Sequence, residues 1–126
     1  IDFRIATPPG YEPKPRLQQK VSRSRYTRDP KVAVRNADVV YTDVWISMGQ
    51  EAETERRRAH FSKYQVDSGL LALAKKDAIF MHPLPAHHGE EVADGLLDLP
   101  QSVVFDQAEN RLHMQKAILV ELLGVL

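Results

Sequence analysis

The stretch Ala78-Ile79-Phe80-Met81-His82-Pro83-Leu84-Pro85-Ala86-His87-His88-Gly89-Glu90-Glu91 decides how this chain is read. Its first four residues are apolar, as in a buried strand, and two prolines then flank a single leucine. Neither Pro83 nor Pro85 carries an N–H, so a strand ladder must stop here. The carbonyls of His82, Pro83 and Leu84 are left available to the N–H groups of a ligand. Further back, Val39-Val40-Tyr41-Thr42 reads as another strand, and it runs into the polar turn Asp43-Val44-Trp45-Ile46-Ser47-Met48-Gly49-Gln50-Glu51. Ligands of open α/β sheets sit just beyond the carboxyl ends of the strands. Two such turns with complementary chemistry predict one binding site.

Outward from these strands, strand-like and helix-like segments alternate. The pattern predicts an α/β fold, an open parallel sheet with flanking helices of the Rossmann-like kind. Phe3 to Ala6 reads as a short strand, residues 16 to 23 as a short polar helix, and Ser24 to Thr27 as a brief edge strand. Asp29-Pro30 starts a helix, with Asp as N-cap and Pro at the first position, that runs to about Asn36. Glu51 to His60 is a charged helix, and Asp67 or Ser68 caps another over Leu70 to Lys75. Glu90 to Leu97 reads as a helix and Ser102 to Phe105 as a strand. Asp106 then caps the last helix, and Glu109 completes a capping box. The sheet begins abruptly at Phe3, and the last helix is more apolar than a small sheet can cover. Both features suggest that something has been removed from the N-terminal side.

With 126 residues, the chain suits one domain with a modest core. Acidic and basic residues balance at 17 each, so nothing argues for nucleic acid or an anionic membrane as partner. Arg56-Arg57-Arg58 follows three glutamates and reads as a solvated helix face. The chain has no cysteine, which excludes disulfides, thiolate catalysis and cysteine-ligated zinc. No apolar run approaches a membrane span, and a soluble cytoplasmic protein is the default. His82, His87 and His88 lie close to Glu90 and Glu91, but the spacing fits no zinc pattern. A structural hydrogen bond is the plainer role for His82, with proton transfer as the other. No Gly-x-Gly-x-x-Gly follows a strand, so a dinucleotide cofactor has no support.

Four segments, in order, resemble the ornithine carbamoyltransferases of the aspartate/ornithine carbamoyltransferase family. The Asp43 to Glu51 turn resembles their ornithine-binding loop, and Met81 to Glu91 their His-Cys-Leu-Pro motif and its flank. Glu109-Asn110-Arg111-Leu112-His113 is similar to the segment opening their last helix, and Ala6 to Pro13 to another of their loops. The resemblance covers only the second, ornithine-binding domain, here residues 1–126. The Ser-x-Arg-Thr loop and His-x-x-Gln segment of the carbamoyl phosphate domain are not in the sequence, and the resemblance implies a fold that lacks its first strand and helix as well. Pro83 stands where the family usually has Cys. Aspartate carbamoyltransferases have His-Pro-Leu-Pro at this place, whereas Ser47-Met48-Gly49 and the Gly-Glu-Glu flank favour the ornithine branch.

The resemblance implies transfer of the carbamoyl group from carbamoyl phosphate to the δ-amine of L-ornithine, giving citrulline and phosphate without a cofactor or metal. It implies a homotrimer for the full enzyme and inactivity for this chain alone. Asp43 would hold the α-ammonium by a charge-assisted hydrogen bond; on composition alone it is a turn residue or helix cap. The Ser47 hydroxyl and Met48 N–H would hold the α-carboxylate, where the plain alternatives are a cap and core packing. The Leu84 carbonyl would accept from the carbamoyl NH₂ group across a cis Leu84–Pro85 bond, where the bland reading is a proline-rich loop. Arg111 would point at the carbonyl oxygen, where charge grows in the transition state; by periodicity it is a solvated helix residue. Pro83 removes the side-chain partner that Cys offers near the δ-amine. The rival readings are a carbamoyltransferase for another amine or amino acid, such as aspartate or putrescine, and a non-catalytic binding domain that keeps the fold.

Overall fold

The computed structural model describes residues 1–16, 25–47, 49 and 51–124. Four short strands form two parallel pairs. β1 (Arg4–Ala6) pairs with β2 (Arg25–Thr27), and β3 (Val39–Tyr41) with β4 (Ile79–Met81). The α/β class expected from the alternating pattern holds. The single open sheet is instead present as two halves, with no ladder between them among the described residues. The proposed polar helix over 16 to 23 falls almost entirely outside the described residues.

The described residues include the helices α1 (Pro30–Val34), α2 (Thr54–Phe61), α3 (Ser68–Leu71) and α4 (Val104–Leu123). Asp29 caps α1, its side chain accepting from Lys31 N–H, and Pro30 occupies the first turn, where a missing N–H costs nothing. Asp67 caps α3 by accepting from Leu70 N–H at 2.6 Å. Asn36, at φ +56, ends the α1 region in the left-handed conformation, and its N–H donates to the Leu73 carbonyl. That bond ties the exit of α1 to the exit of α3. The core gathers Val34, Val40, Val66, Leu70, Leu71, Phe80, Val92, Leu96 and Val104. Phe80 in β4 is fully buried and sits at its centre.

Two expected elements differ. Glu90 to Leu97 is not a helix but a series of turns, with isolated parallel bridges from Val92 to Val66 and to His88 and a short 3₁₀ turn at Leu96–Asp98. Gly89 and Gly95 adopt positive φ, which no α-helix accommodates, and Val66 takes up the intervening backbone through its own N–H and carbonyl. The strand over Ser102 to Phe105 shrinks to one bridge between Ser102 and Phe80. Val104 already belongs to α4 and is fully buried there. The helix therefore starts two residues before Asp106, with Val103 as N-cap and no side-chain cap, so the expected capping box is absent. Asp106 lies in the first turn, where a negative charge suits the helix dipole.

Beyond Gln107 every described residue of α4 is exposed. Leu119, Leu122 and Leu123 are 56%, 76% and 72% accessible, so the apolar face expected to lie bare does so in this chain.

Candidate functional site

Because β3 and β4 are parallel neighbours in register, Tyr41 opposite Met81, their two following loops leave from the same edge. The Thr42 N–H still donates to the Met81 carbonyl, which carries the pairing to the mouth of both loops. Adjacent strands lie about 4.8 Å apart, so the loops bearing Asp43 and Leu84 start within one side-chain length of each other. This is the shared edge that the sequence pattern predicts. Asp43 is exposed, and its Oδ1 accepts from Val44 N–H at 2.8 Å, which fixes the first turn of its loop. Ser47 is exposed in the same loop, while Met48 lies outside the described residues.

Leu84 is held more tightly. Its φ is +52, a left-handed conformation that costs a non-glycine residue about 1–2 kcal/mol. The Leu84–Pro85 bond is cis, as the resemblance implies. The Leu84 N–H donates to His82 Nδ1 at 2.9 Å. A ring nitrogen that accepts carries no proton, so the His82 proton is assigned to Nε2. Nε2 lies 3.2 Å from Glu91 Oε1, though not aligned as a hydrogen bond, and both side chains are fully buried. Glu91 Oε1 also accepts from His87 N–H at 2.6 Å. A buried imidazole and a buried carboxyl group thus brace the two ends of the proline loop. His82 makes the structural hydrogen bond expected of it. No group of three potential ligand side chains that could hold a metal ion occurs among the described residues.

The third piece comes from α4. The His82 N–H donates to Gln107 Oε1 at 3.0 Å, which fastens the first turns of the helix to the end of β4. Arg111 follows Gln107 by one helical turn on the same face, and it is exposed. Partial burial, and behind it the Asp43 charge, raise the Tyr41 phenol above its ordinary value. The nearby Gln107 side chain acts weakly the other way. Asp43, Tyr41, Gln107 and His82 are therefore near neighbours across three elements.

A model of the Asp/Orn binding domain of aspartate/ornithine carbamoyltransferases matches residues 1–122. The chain belongs to that family. An ornithine carbamoyltransferase of Archaeoglobus fulgidus is 55% identical over 124 residues, covering 95% of this chain and 40% of the relative. One from Nitrosococcus oceani is 58% identical over 126 residues, covering 98% and 41%. The solved ornithine carbamoyltransferase of Pyrococcus furiosus superposes with a TM-score of 0.86 at 52% identity, over 95% of this chain and 41% of that one. The chain thus spans about two fifths of the length of these family members. Among the described residues no helix is long and apolar enough to cross a membrane.

Three residues of this carbamoyltransferase domain escaped the sequence pattern. Gln107 reads as an ordinary residue of the last helix, although its spacing of four from Arg111 is a usable signal. Arg57 and Arg58 read as a solvated face. Arg57 is only 17% exposed in its side chain and donates to the Trp45 carbonyl at 3.2 Å. Arg58 places two N–H groups on Glu90 Oε1, at 3.0 and 2.6 Å. Those contacts span 12 and 32 residues, and no local signal announces them.

Proposed function

We propose that residues 1–126 are the amino-acid-binding domain of an ornithine carbamoyltransferase, and that the first strand and helix of this domain and a carbamoyl phosphate domain complete the enzyme. The observation that carries the reading is the pair of loops at one edge of β3 and β4, one offering a carboxylate and the other a fixed carbonyl. The names of the relatives above support ornithine as the amine.

In the proposed reaction the δ-amine of L-ornithine, unprotonated, attacks the carbonyl carbon of carbamoyl phosphate. A C–N bond forms, the C–O bond to phosphate breaks, and citrulline and phosphate leave. A lysine-like amine has a free pKa of about 10.4, so it must lose a proton on binding. Asp43 takes the α-ammonium, and Ser47 with the Met48 N–H takes the α-carboxylate. Leu84 accepts from the carbamoyl NH₂ group through its carbonyl, and the buried His82–Glu91 pair keeps that carbonyl where it is. Arg111 stabilises the charge that develops on the carbonyl oxygen. Pro83 offers no proton acceptor beside the δ-amine, so the proton leaves to the phosphate of the other substrate, with Asp43 second. No cofactor or metal enters these steps. The full enzyme is a cytoplasmic homotrimer in this reading.

The test is product formation by the full-length protein with carbamoyl phosphate and each of ornithine, aspartate and putrescine. Citrulline as the main product supports the reading. A preference for aspartate or putrescine moves the protein to another branch. No transfer to any amine, in a protein that binds ornithine or not, leaves the non-catalytic domain.

A further inference from the structure

Helix α2 touches both loops of the candidate site through two consecutive residues. Arg57 Nη1 donates to the carbonyl of Trp45, in the middle of the loop that carries Asp43 and Ser47. Trp45 itself is buried and stacks on Phe61 of the same helix, ring centres 6.0 Å apart. Arg57 is held in turn by Glu53, Nε to Oε2 at 2.9 Å, and its guanidinium lies 5.3 Å from the Tyr11 ring centre. On the other side, Arg58 grips Glu90 with two N–H groups on one carboxylate oxygen. Gln65, just past the helix, donates to the Glu90 carbonyl at 2.7 Å. Glu91 is the next residue, and it is the buried carboxyl group that backs His82 and, through it, Leu84.

We propose that Arg58 is a positioning residue, and that Arg57 and Arg58 together make α2 the common mount of the amino-acid loop and the proline loop. The assignment rests on the carbamoyltransferase reading above. A continuous run of contacts leads from the Trp45 carbonyl through Arg57 and Arg58 to Glu90, Glu91, His82 and the Leu84 N–H. Every link is a polar contact or a peptide bond, so a shift at one loop is passed to the other. The Arg58 side chain is 48% exposed and its Glu90 partner 19%. An exposed ion pair of this kind adds little to stability, yet two N–H groups on one oxygen fix a direction. Its effect therefore lies in geometry. A weaker contact with Glu55, itself 89% exposed, holds the guanidinium from the solvent side and does not compete with that direction.

The experiment uses the full-length protein and the variants Arg58→Gln, Arg58→Lys and Arg57→Gln. A common mount predicts that Arg58→Gln raises KM for ornithine about fivefold and lowers kcat about tenfold, within the range lost with one charge-assisted contact, although Glu90 lies outside the amino-acid loop. Arg58→Lys, which keeps the charge but not the fork, recovers part of both. Arg57→Gln likewise moves both constants. In Arg58→Gln, amide hydrogen exchange of residues 43–47 speeds up while the melting temperature stays within a few degrees. Partial unfolding alone would lower kcat and leave KM where it was. Unchanged KM and unchanged exchange at 43–47 in Arg58→Gln would overturn the proposal. If the unmutated protein does not carbamoylate ornithine, the functional reading fails separately, and the exchange measurement still decides whether α2 couples the loops.

Discussion

Replacing His82 by Ala is the sharpest perturbation of the proline loop. The ring is fully buried and serves two groups at once, the Leu84 N–H at 2.9 Å and Glu91 Oε1 at 3.2 Å. Its loss leaves the Leu84 N–H without its acceptor and takes a polar neighbour from Glu91, whose Oε1 keeps the His87 N–H. The unpaired donor costs about 1–3 kcal/mol and the void left by a buried ring adds to it, so His82→Ala should destabilise by about 3–5 kcal/mol, a large share of the 5–15 kcal/mol that holds a typical domain. Removing that carboxyl as well should give part of this back. The double variant His82→Ala/Glu91→Leu is then less damaged than the sum of the single variants, with a coupling of about 1–3 kcal/mol. Urea unfolding followed by circular dichroism reads these values, provided the slope is unchanged between variants. Additivity within about 0.5 kcal/mol would refute the reasoning, because it would show that the two buried groups do not depend on each other.

At Asn36, φ +56, Ala should cost about 1–2 kcal/mol and Gly almost nothing, since only the former meets the left-handed penalty; the same unfolding assay checks it. Asp29→Ala removes the cap of α1 and should cost about 1 kcal/mol. Asp43→Asn deletes the nearby charge that helps raise the Tyr41 phenol, so that pKa should fall toward its ordinary value in an NMR titration of labelled tyrosine. In the full-length protein the same change should raise KM for ornithine about tenfold or more, as expected when a charge-assisted contact is lost. In the isolated chain Leu122→Lys should change stability by less than about 0.5 kcal/mol, because that side chain is 76% exposed.

Where structure is encoded locally, the sequence was readable. Asp29-Pro30 and Asp67 each cap a helix as their residue types suggest, and the apolar runs ahead of Asp43 and His82 form the paired strands. Elsewhere tertiary contacts outweigh local preference. Val103-Val104-Phe105 is strand-like by composition, but burying Val104 at the start of α4 ends the pairing after Ser102. Glu90 to Leu97 has a helix-like spacing, but two glycines at positive φ and the bridge to Val66 turn it into a clasp. Of the candidate site, the placement of the Asp43 and Leu84 loops at one edge is legible because each follows a strand. Gln107, Arg57 and Arg58 are not, since their meaning lies in partners far along the chain.

The braced Leu84 has a bearing on how this domain should be dissected. In the proposed reaction the residue offers a main-chain oxygen, and every side-chain replacement leaves that oxygen in place. Leu84→Ala would report mainly on packing, since the leucine side chain lies against the core. An alanine scan would therefore score this position as a modest hydrophobic contact and pass over its chemistry. Reading it requires editing the backbone itself. A semisynthetic chain with a thioamide at residue 84 would exchange the acceptor for a larger, weaker one and leave the side-chain sequence untouched.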